Sequence, residues 1–180
     1  MLYGLSGTFA SGKDTLAEWL EHNGFTHVST SDIVREGAQK EYNSTDRKYL
    51  FEYANKIRKE LGAGIFVEQA LAQTIALDKV VISGIRSVGE VEALKEAGGV
   101  LVFVDAPVEL RYERAHKRAR DEEVESLESF KKSEQKELSK SPDNKDEQNI
   151  GAVGNLADIT LQNDADLGTF FAEASASLKL

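Results

Sequence analysis

Residues 7–15 read Gly-Thr-Phe-Ala-Ser-Gly-Lys-Asp-Thr, an order of residue types suited to gripping a phosphate group. Gly7 and Gly12 let a loop wrap closely around an anion with backbone N–H groups turned inward, and Ala10 and Ser11 lie on that path. Lys13 adds a point charge for the outer phosphates of a nucleotide such as ATP. A helix opening there turns its positive end on the same anion. The loop departs from the common Gly-x-x-x-x-Gly-Lys-Ser/Thr pattern at one place: Asp14 occupies the hydroxyl position and Thr15 follows it. A hydroxyl at that point normally helps hold Mg²⁺. Here either the Asp14 carboxylate or Thr15 is available for the ion.

Other charged residues stand where chemistry is expected. Arg86 follows an apolar strand, the end at which open α/β sheets place ligands, and can grip a phosphate in bidentate fashion or form a surface ion pair. Arg111, Arg114 and Arg118 share one helical face by their spacing, with Lys117 and Arg120 nearby. His22, His27 and His116 have no metal-ligand spacing and read as surface residues. Trp19 falls at helical spacing with Leu16 and Leu20 and reads as core. Phe9 either shields the phosphates or packs.

The elements that must position these residues alternate. Apolar runs at Leu2–Ser6, Phe25–Ser29, Lys79–Ile82, Val100–Val104 and Ala157–Leu161 read as strands. Helical patterns run from Lys13 to the Asn23-Gly24 cap, from near Ile33, over Thr45–Leu61, over Phe66–Ala76, over Val88–Ala97, beyond Pro107 and over Leu167–Leu178. Thr30-Ser31-Asp32 reads as the cap of the helix near Ile33. Continuous apolar strands between helices predict an α/β fold with a parallel sheet covered on both faces. Lys131–Gln148 is polar, carries Pro142 and reads as a surface connection or lid. No internal repeat and no separable second domain is visible over residues 1–180.

Composition narrows the rest. Hydrophobic residues make up 41% and charged residues 29%, an ordinary globular balance. With no cysteine, thiolate metal sites and thiol nucleophiles are excluded. A formal net charge of −9 argues against binding a nucleic-acid polymer, yet leaves room for a local basic cluster around a small phosphorylated ligand. No basic leader or bilayer-length apolar stretch is present, so the expectation is a soluble cytoplasmic protein without a membrane partner, a monomer or homodimer.

Several segments recur in one order: Ser31-Asp32-Ile33-Val34-Arg35, Val80 through Ser87, Glu90-Val91-Glu92, Val104-Asp105-Ala106-Pro107, Arg111 with Arg114, and Leu156-Ala157-Asp158-Ile159 before Asn163. With the phosphate loop, they resemble the P-loop nucleoside monophosphate kinase superfamily, near the archaeal adenylate-kinase-like proteins and dephospho-coenzyme A kinases. The resemblance implies a three-layer P-loop kinase fold with about five parallel strands. It also implies an acceptor-binding helical region over about residues 32–76 and a small helical lid over about 111–148.

It implies ATP and Mg²⁺ as cofactors, with Gly7, Ala10, Ser11, Gly12, Lys13, Asp14, Thr15 and Asn163 on the nucleotide and Asp14 or Thr15 on the metal. Lys13, Asp32, Arg114 and Arg118 take catalytic roles, Asp32 orienting or deprotonating the acceptor oxygen. Asp32, Arg35 and Arg86 contact the acceptor. At Ser83 the related proteins usually carry an aspartate that helps hold the metal, so Asp14 is the residue available to compensate. The acceptor is a (deoxy)nucleoside monophosphate or dephospho-coenzyme A. A regulatory nucleotide-binding domain with slow or no transfer is the remaining alternative.

Overall fold

The computed structural model describes residues 1–118, 126–138, 145 and 147–180. Five strands form one sheet: β1 (Leu2–Gly7), β2 (Thr26–Ser29), β3 (Val80–Ser83), β4 (Val100–Asp105) and β5 (Ile159–Gln162). All pairings are parallel and the spatial order is β2-β3-β1-β4-β5. The chain therefore enters at the centre, places β2 at one edge, returns to insert β3 between β2 and β1, and then crosses β1 to build the other half outward. That reversal leaves a crevice at the carboxyl end of β1, where open α/β sheets bind ligands.

Alternate side chains of the central strands feed two cores. Tyr3, Leu5, Val81, Val102 and Val104 pack with α1 (Lys13–His22) and α9 (Leu167–Leu178), while Trp19 stacks on Phe171 at 5.2 Å at the border of that core. On the opposite face Val80, Ile82 and Leu101 meet α4 (Ile65–Ala72), α5 (Val88–Glu96) and α8 (Ile150–Asn155). At Gly4 a Cβ would lie 2.3 Å from Leu94 Cδ2 and 2.5 Å from Ile85 Cδ1, so the bare backbone lets α5 sit directly on β1. Helices α2 (Thr30–Tyr42) and α3 (Arg47–Leu61) pack together beside α4, beyond the β2 edge. Helices α6 (Val108–Arg118) and α7 (Leu127–Leu138) follow β4.

Helix α4 ends at Ala72 rather than Ala76, and four further sequence expectations change. Helix α2 begins at Thr30, three residues before Ile33, because Ser29 is the cap: its Oγ accepts from Asp32 N at 3.4 Å, which places Asp32 within the first turn. Lys131–Leu138, read by composition as part of a surface connection or lid, is helical. Phe130 is buried against Tyr112 and Phe9, an anchor hidden by the charged composition around it. Residues 139–144 and 146 of that expected connection, and Arg120, lie outside the described residues. The short helix α8 was not expected, since Ile-Gly-Ala-Val-Gly-Asn has poor helix propensity; the Asn149 side chain caps it by accepting from Ala152 N at 3.0 Å.

The fourth change is at β5, which starts at Ile159 rather than Ala157. Asp158 joins β4 in another way: its N–H donates to Leu101 O at 2.9 Å and its carboxylate accepts from Leu101 N at 2.8 Å. Lys95 Nζ, 3.0 Å away, completes the set. Burial works to raise the Asp158 pKa, but the Leu101 N–H and Lys95 outweigh it and hold the carboxyl below its ordinary value. A depressed folded-state pKa contributes stability that is present above the unfolded value of about 3.9 and is lost as pH falls through the folded one. Asp158→Asn should therefore lose about 1 kcal/mol at pH 7, a hydrogen-bonded-charge value discounted for partial exposure. Urea unfolding should show the gap from wild type closing below about pH 3. An equal deficit at both pH values would contradict this account.

Candidate functional site

The phosphate loop leaves β1 at Gly7 and enters α1 at Lys13. Thr8 fixes its start, donating its N–H to Val104 O at 3.3 Å and its hydroxyl to Asp105 Oδ1 at 2.6 Å. A Cβ on Gly7 would sit 2.3 Å from Val104 O. Ala10 and Gly12 both take positive φ, 60° and 101°, and a Cβ on Gly12 would meet Asn163 Nδ2 at 2.2 Å. Gly12 is thus required twice over, by backbone and by space.

The loop's carbonyls have defined partners. Ser11 O accepts from Asn163 Nδ2 at 2.8 Å and from Arg114 Nη1 at 3.4 Å, and Phe9 O from Arg111 Nη1 at 3.5 Å. Arg114 Nη2 also donates to Asn163 O at 3.0 Å and Oδ1 at 3.2 Å. In a trans peptide the C=O and the following N–H point in opposite directions. Turning the Phe9 and Ser11 carbonyls onto this shelf therefore turns the Ala10 and Gly12 N–H groups the other way, as an anion site needs.

The expected arginine face on α6 divides. Arg111 is buried and pairs with Glu134 of α7, with its Nε donating to Ala106 O at 2.7 Å and its guanidinium 5.9 Å from the Phe130 ring. It ties α6, α7 and the loop together rather than standing on a solvated surface. Arg114 reaches the loop; the Arg118 side chain lies outside the described residues. Asn163, at 2% exposure, braces the loop carbonyl from the end of β5. Asp105 and Glu134 supported this arrangement without any signal in their spacing.

A second space, a cavity of about 240 Å³, opens between α2, α3 and the segment after β3. Arg35, Arg47, Arg58 and Arg86 line it, with no aspartate or glutamate among the described lining residues; Val34, Leu50 and Phe51 give it an apolar side. Since Leu5 and Ser83 are in register and Ser6 Oγ donates to Ile85 O at 2.7 Å, Gly84 and Arg86 leave the sheet beside the strand that carries the phosphate loop. Loop and cavity occupy one edge of the sheet.

Arg35 and Arg86 both line this cavity. Asp32 does not line the cavity; its exposed carboxylate pairs with Arg35. Arg47 and Arg58 were not foreseen. Arg58 is 3% exposed and its Nη2 donates to Glu90 Oε1 at 2.8 Å, with Glu90 wholly buried. The Ser87-x-x-Glu90 capping box was a legible sign of Glu90's backbone role, though not of its arginine partner.

Ser83 is buried, and its Oγ lies 2.7 Å from His27 Nε2, so His27 is a half-buried partner rather than the surface residue expected. Asp14, with a 55% exposed side chain, lies 3.5 Å from Lys13 Nζ. Asp14 and Thr15 offer one carboxylate and one hydroxyl, and among the described residues no three acidic or histidine side chains gather as a metal cluster. That donor set fits an ion such as Mg²⁺, which keeps its waters and takes most of its ligands from nucleotide phosphates.

Comparison with known proteins agrees with this geometry. Residues 4–131 match the family described as AAA domain. A UPF0200 protein of Sulfurisphaera tokodaii is 32% identical over 176 residues, covering 97% of this chain and 94% of its own. Among solved structures, dephospho-CoA kinase from Campylobacter jejuni superposes with a TM-score of 0.59 at 20% identity, covering 99% of this chain and 95% of that one. Shikimate kinase from Bacteroides thetaiotaomicron does so with a TM-score of 0.61 at 14% identity, covering 100% and 99%. These likenesses establish the P-loop kinase fold. Among the described residues no helix is long and apolar enough to cross a membrane.

Gly12→Ala should destabilise the protein by about 2 kcal/mol through left-handed strain and contact with Asn163. Combined with Asn163→Ala, the loss should fall short of the sum of the two single losses by about 1 kcal/mol, because the contact is removed while the strain stays. Urea unfolding of the four proteins measures this coupling. Strict additivity would show that Asn163 does not press on the loop.

Proposed function

The chain belongs to the AAA-domain family and to the UPF0200 family, and from that premise we propose that it transfers the γ-phosphoryl group of ATP to a small nucleotide-like acceptor, a (deoxy)nucleoside monophosphate. The observation that carries this reading is the cavity beside the phosphate loop: four arginines converge there in a chain of net charge −9. An acidic protein that gathers guanidinium groups around one small space is equipped for a polyanionic small molecule.

In this reading the loop amides and Lys13 hold the ATP phosphates, and Arg35 and Arg86 hold the acceptor on the same sheet edge. An acceptor phosphate oxygen attacks the γ-phosphorus, the bond to the β–γ bridging oxygen breaks, and ADP leaves. Lys13 offsets charge on the moving group, a task to which Arg118 of α6 is also assigned, while Arg114 serves by bracing the loop through Ser11 O and Asn163. The protein's share is positioning and electrostatics. Asp14 and Thr15 would hold Mg²⁺, whose contribution is to neutralise phosphate charge.

A phosphate acceptor already presents an ionised oxygen and needs no general base. That agrees with a cavity lined by no carboxylate or histidine among the described residues, and with Asp32 paired to Arg35 instead. A hydroxyl acceptor, as in dephospho-coenzyme A, would call for Asp32 to leave that pair and act as base. The dephospho-CoA kinase neighbour keeps this second reading in the test. Ser83 in place of the usual acid keeps the regulatory reading there too.

A coupled assay of ADP release should find turnover with at least one of AMP, CMP, UMP, GMP and the deoxynucleotides. Lys13→Met should lower it by about 10²–10³-fold, as loss of a transition-state charge partner does, with an unchanged unfolding midpoint. Activity only with dephospho-coenzyme A selects the second reading. Binding of Mg·ATP with no turnover across the panel selects the regulatory one.

A further inference from the structure

Glu90 is a wholly buried carboxylate with four donors on it. Oε1 accepts from Arg58 Nη2 at 2.8 Å and Nε at 3.3 Å, while Oε2 accepts from the backbone N–H groups of Arg86 at 2.7 Å and Ser87 at 3.2 Å. One side chain of α5 thereby fixes the guanidinium of α3 against the segment that presents Arg86. Both arginines line the same cavity.

The Arg58 account is incomplete. Its Nε–Nη2 edge is used by Glu90, and the Phe66 ring lies 5.1 Å from the guanidinium carbon. A ring contact does not take the in-plane N–H bonds of the remaining amino group. Nη1 is buried and has no acceptor among the described residues. Buried guanidinium donors are ordinarily satisfied, and an orphan one on a side chain that lines a cavity points to a missing acceptor. With Arg35, Arg47 and Arg86 lining the same space, an anionic oxygen suits it.

We infer that Arg58 is an acceptor-binding residue whose Nη1 donates to a phosphate oxygen of the bound acceptor, and that Glu90 is the positioning residue holding Arg58 and the Arg86 segment at one fixed separation. This rests on reading the cavity as the acceptor site. It adds a buried, preoriented donor to the half-exposed Arg35, whose pair with Asp32 is solvent-screened. Preorientation makes the site discriminate for a phosphate monoester over an uncharged analogue such as the nucleoside.

The test separates anion binding from catalysis. With the phosphate loop saturated by Mg·ADP, inorganic phosphate and AMP are titrated while the amide resonances of Gly84–Ser87 are followed. Arg58→Lys keeps a cation for Glu90 but loses the planar donor. The double variant Arg58→Met with Glu90→Gln removes the buried charge pair together and keeps an oxygen for the two backbone N–H groups.

Both variants are expected to bind Mg·ADP within about twofold of wild type and to lose about tenfold or more in phosphate affinity, the scale of one charge-assisted hydrogen bond. In wild type AMP should displace inorganic phosphate, and adenosine should not. Glu90→Gln alone should raise the KM for the acceptor found in the ADP-release assay with little change in the KM for ATP, a split that general destabilisation would not give.

Unchanged phosphate affinity in folded Arg58 variants overturns the inference, as does a wild type that binds no phosphate under these conditions. Phosphate that no nucleoside monophosphate displaces would belong to a free-phosphate site and overturns the acceptor assignment. A pair whose every variant unfolds is purely structural, which overturns it too. Arg58-dependent, AMP-displaceable binding without any ADP release would instead refute the transferase reading and leave this site standing.

Discussion

A loop that binds an anion through its own backbone must find partners for its carbonyls elsewhere, and the architecture around residues 7–15 answers that constraint. The carbonyl partners come from the far half of the sheet, Arg111 and Arg114 from α6 and Asn163 from the end of β5, while Asp105 of β4 anchors the loop by accepting from the Thr8 hydroxyl. None of these elements is near the loop in sequence. The ligand site at the carboxyl end of β1 is therefore a product of tertiary structure, even though its residues are contiguous. Helix α7 belongs to the same arrangement, since Glu134 and Phe130 hold Arg111 in place from behind.

The other half of the sheet edge solves a different electrostatic problem. Bringing four guanidinium groups to one cavity is unfavourable unless some are compensated before a ligand arrives. Arg35 has Asp32 at the half-exposed side, where the pair is solvent-screened and weak. Arg58 has Glu90 in the interior, where removing either partner alone is worth about 3–5 kcal/mol. The cavity thus combines an adjustable cation with a rigid one.

Much of this was legible in the residues. Strands β3 and β4 stand out because each is a short apolar run, while β2 and β5 carry polar residues in turn, and the loop stands out because glycine, lysine and an opening helix coincide at the end of β1. Arg86 followed from the strand-end rule. Arg58 was not legible: four residues after Ala54 it shares the apolar face of α3, but its charge made it read as solvent-facing, and its burial depends on Glu90, 32 residues away. Helix α7 was obscured by charge, with Phe130 its one clear inward residue. At β5, strand-like composition at Ala157 gave way to Asp158, whose carboxylate replaces part of the backbone ladder. In each case the deciding contact is between elements distant in sequence, which local pattern cannot report.

The Glu90 contacts also have a consequence in evolutionary terms. A lone change at Arg58 strands a carboxylate, and a lone change at Glu90 strands a guanidinium and two backbone donors. Intermediates between one acceptable pair and another are therefore less fit to fold than either endpoint. A paired change avoids what a lone change costs, so Arg58 and Glu90 constrain each other's replacement, whereas Arg35, with a solvent-screened partner, is under no such constraint.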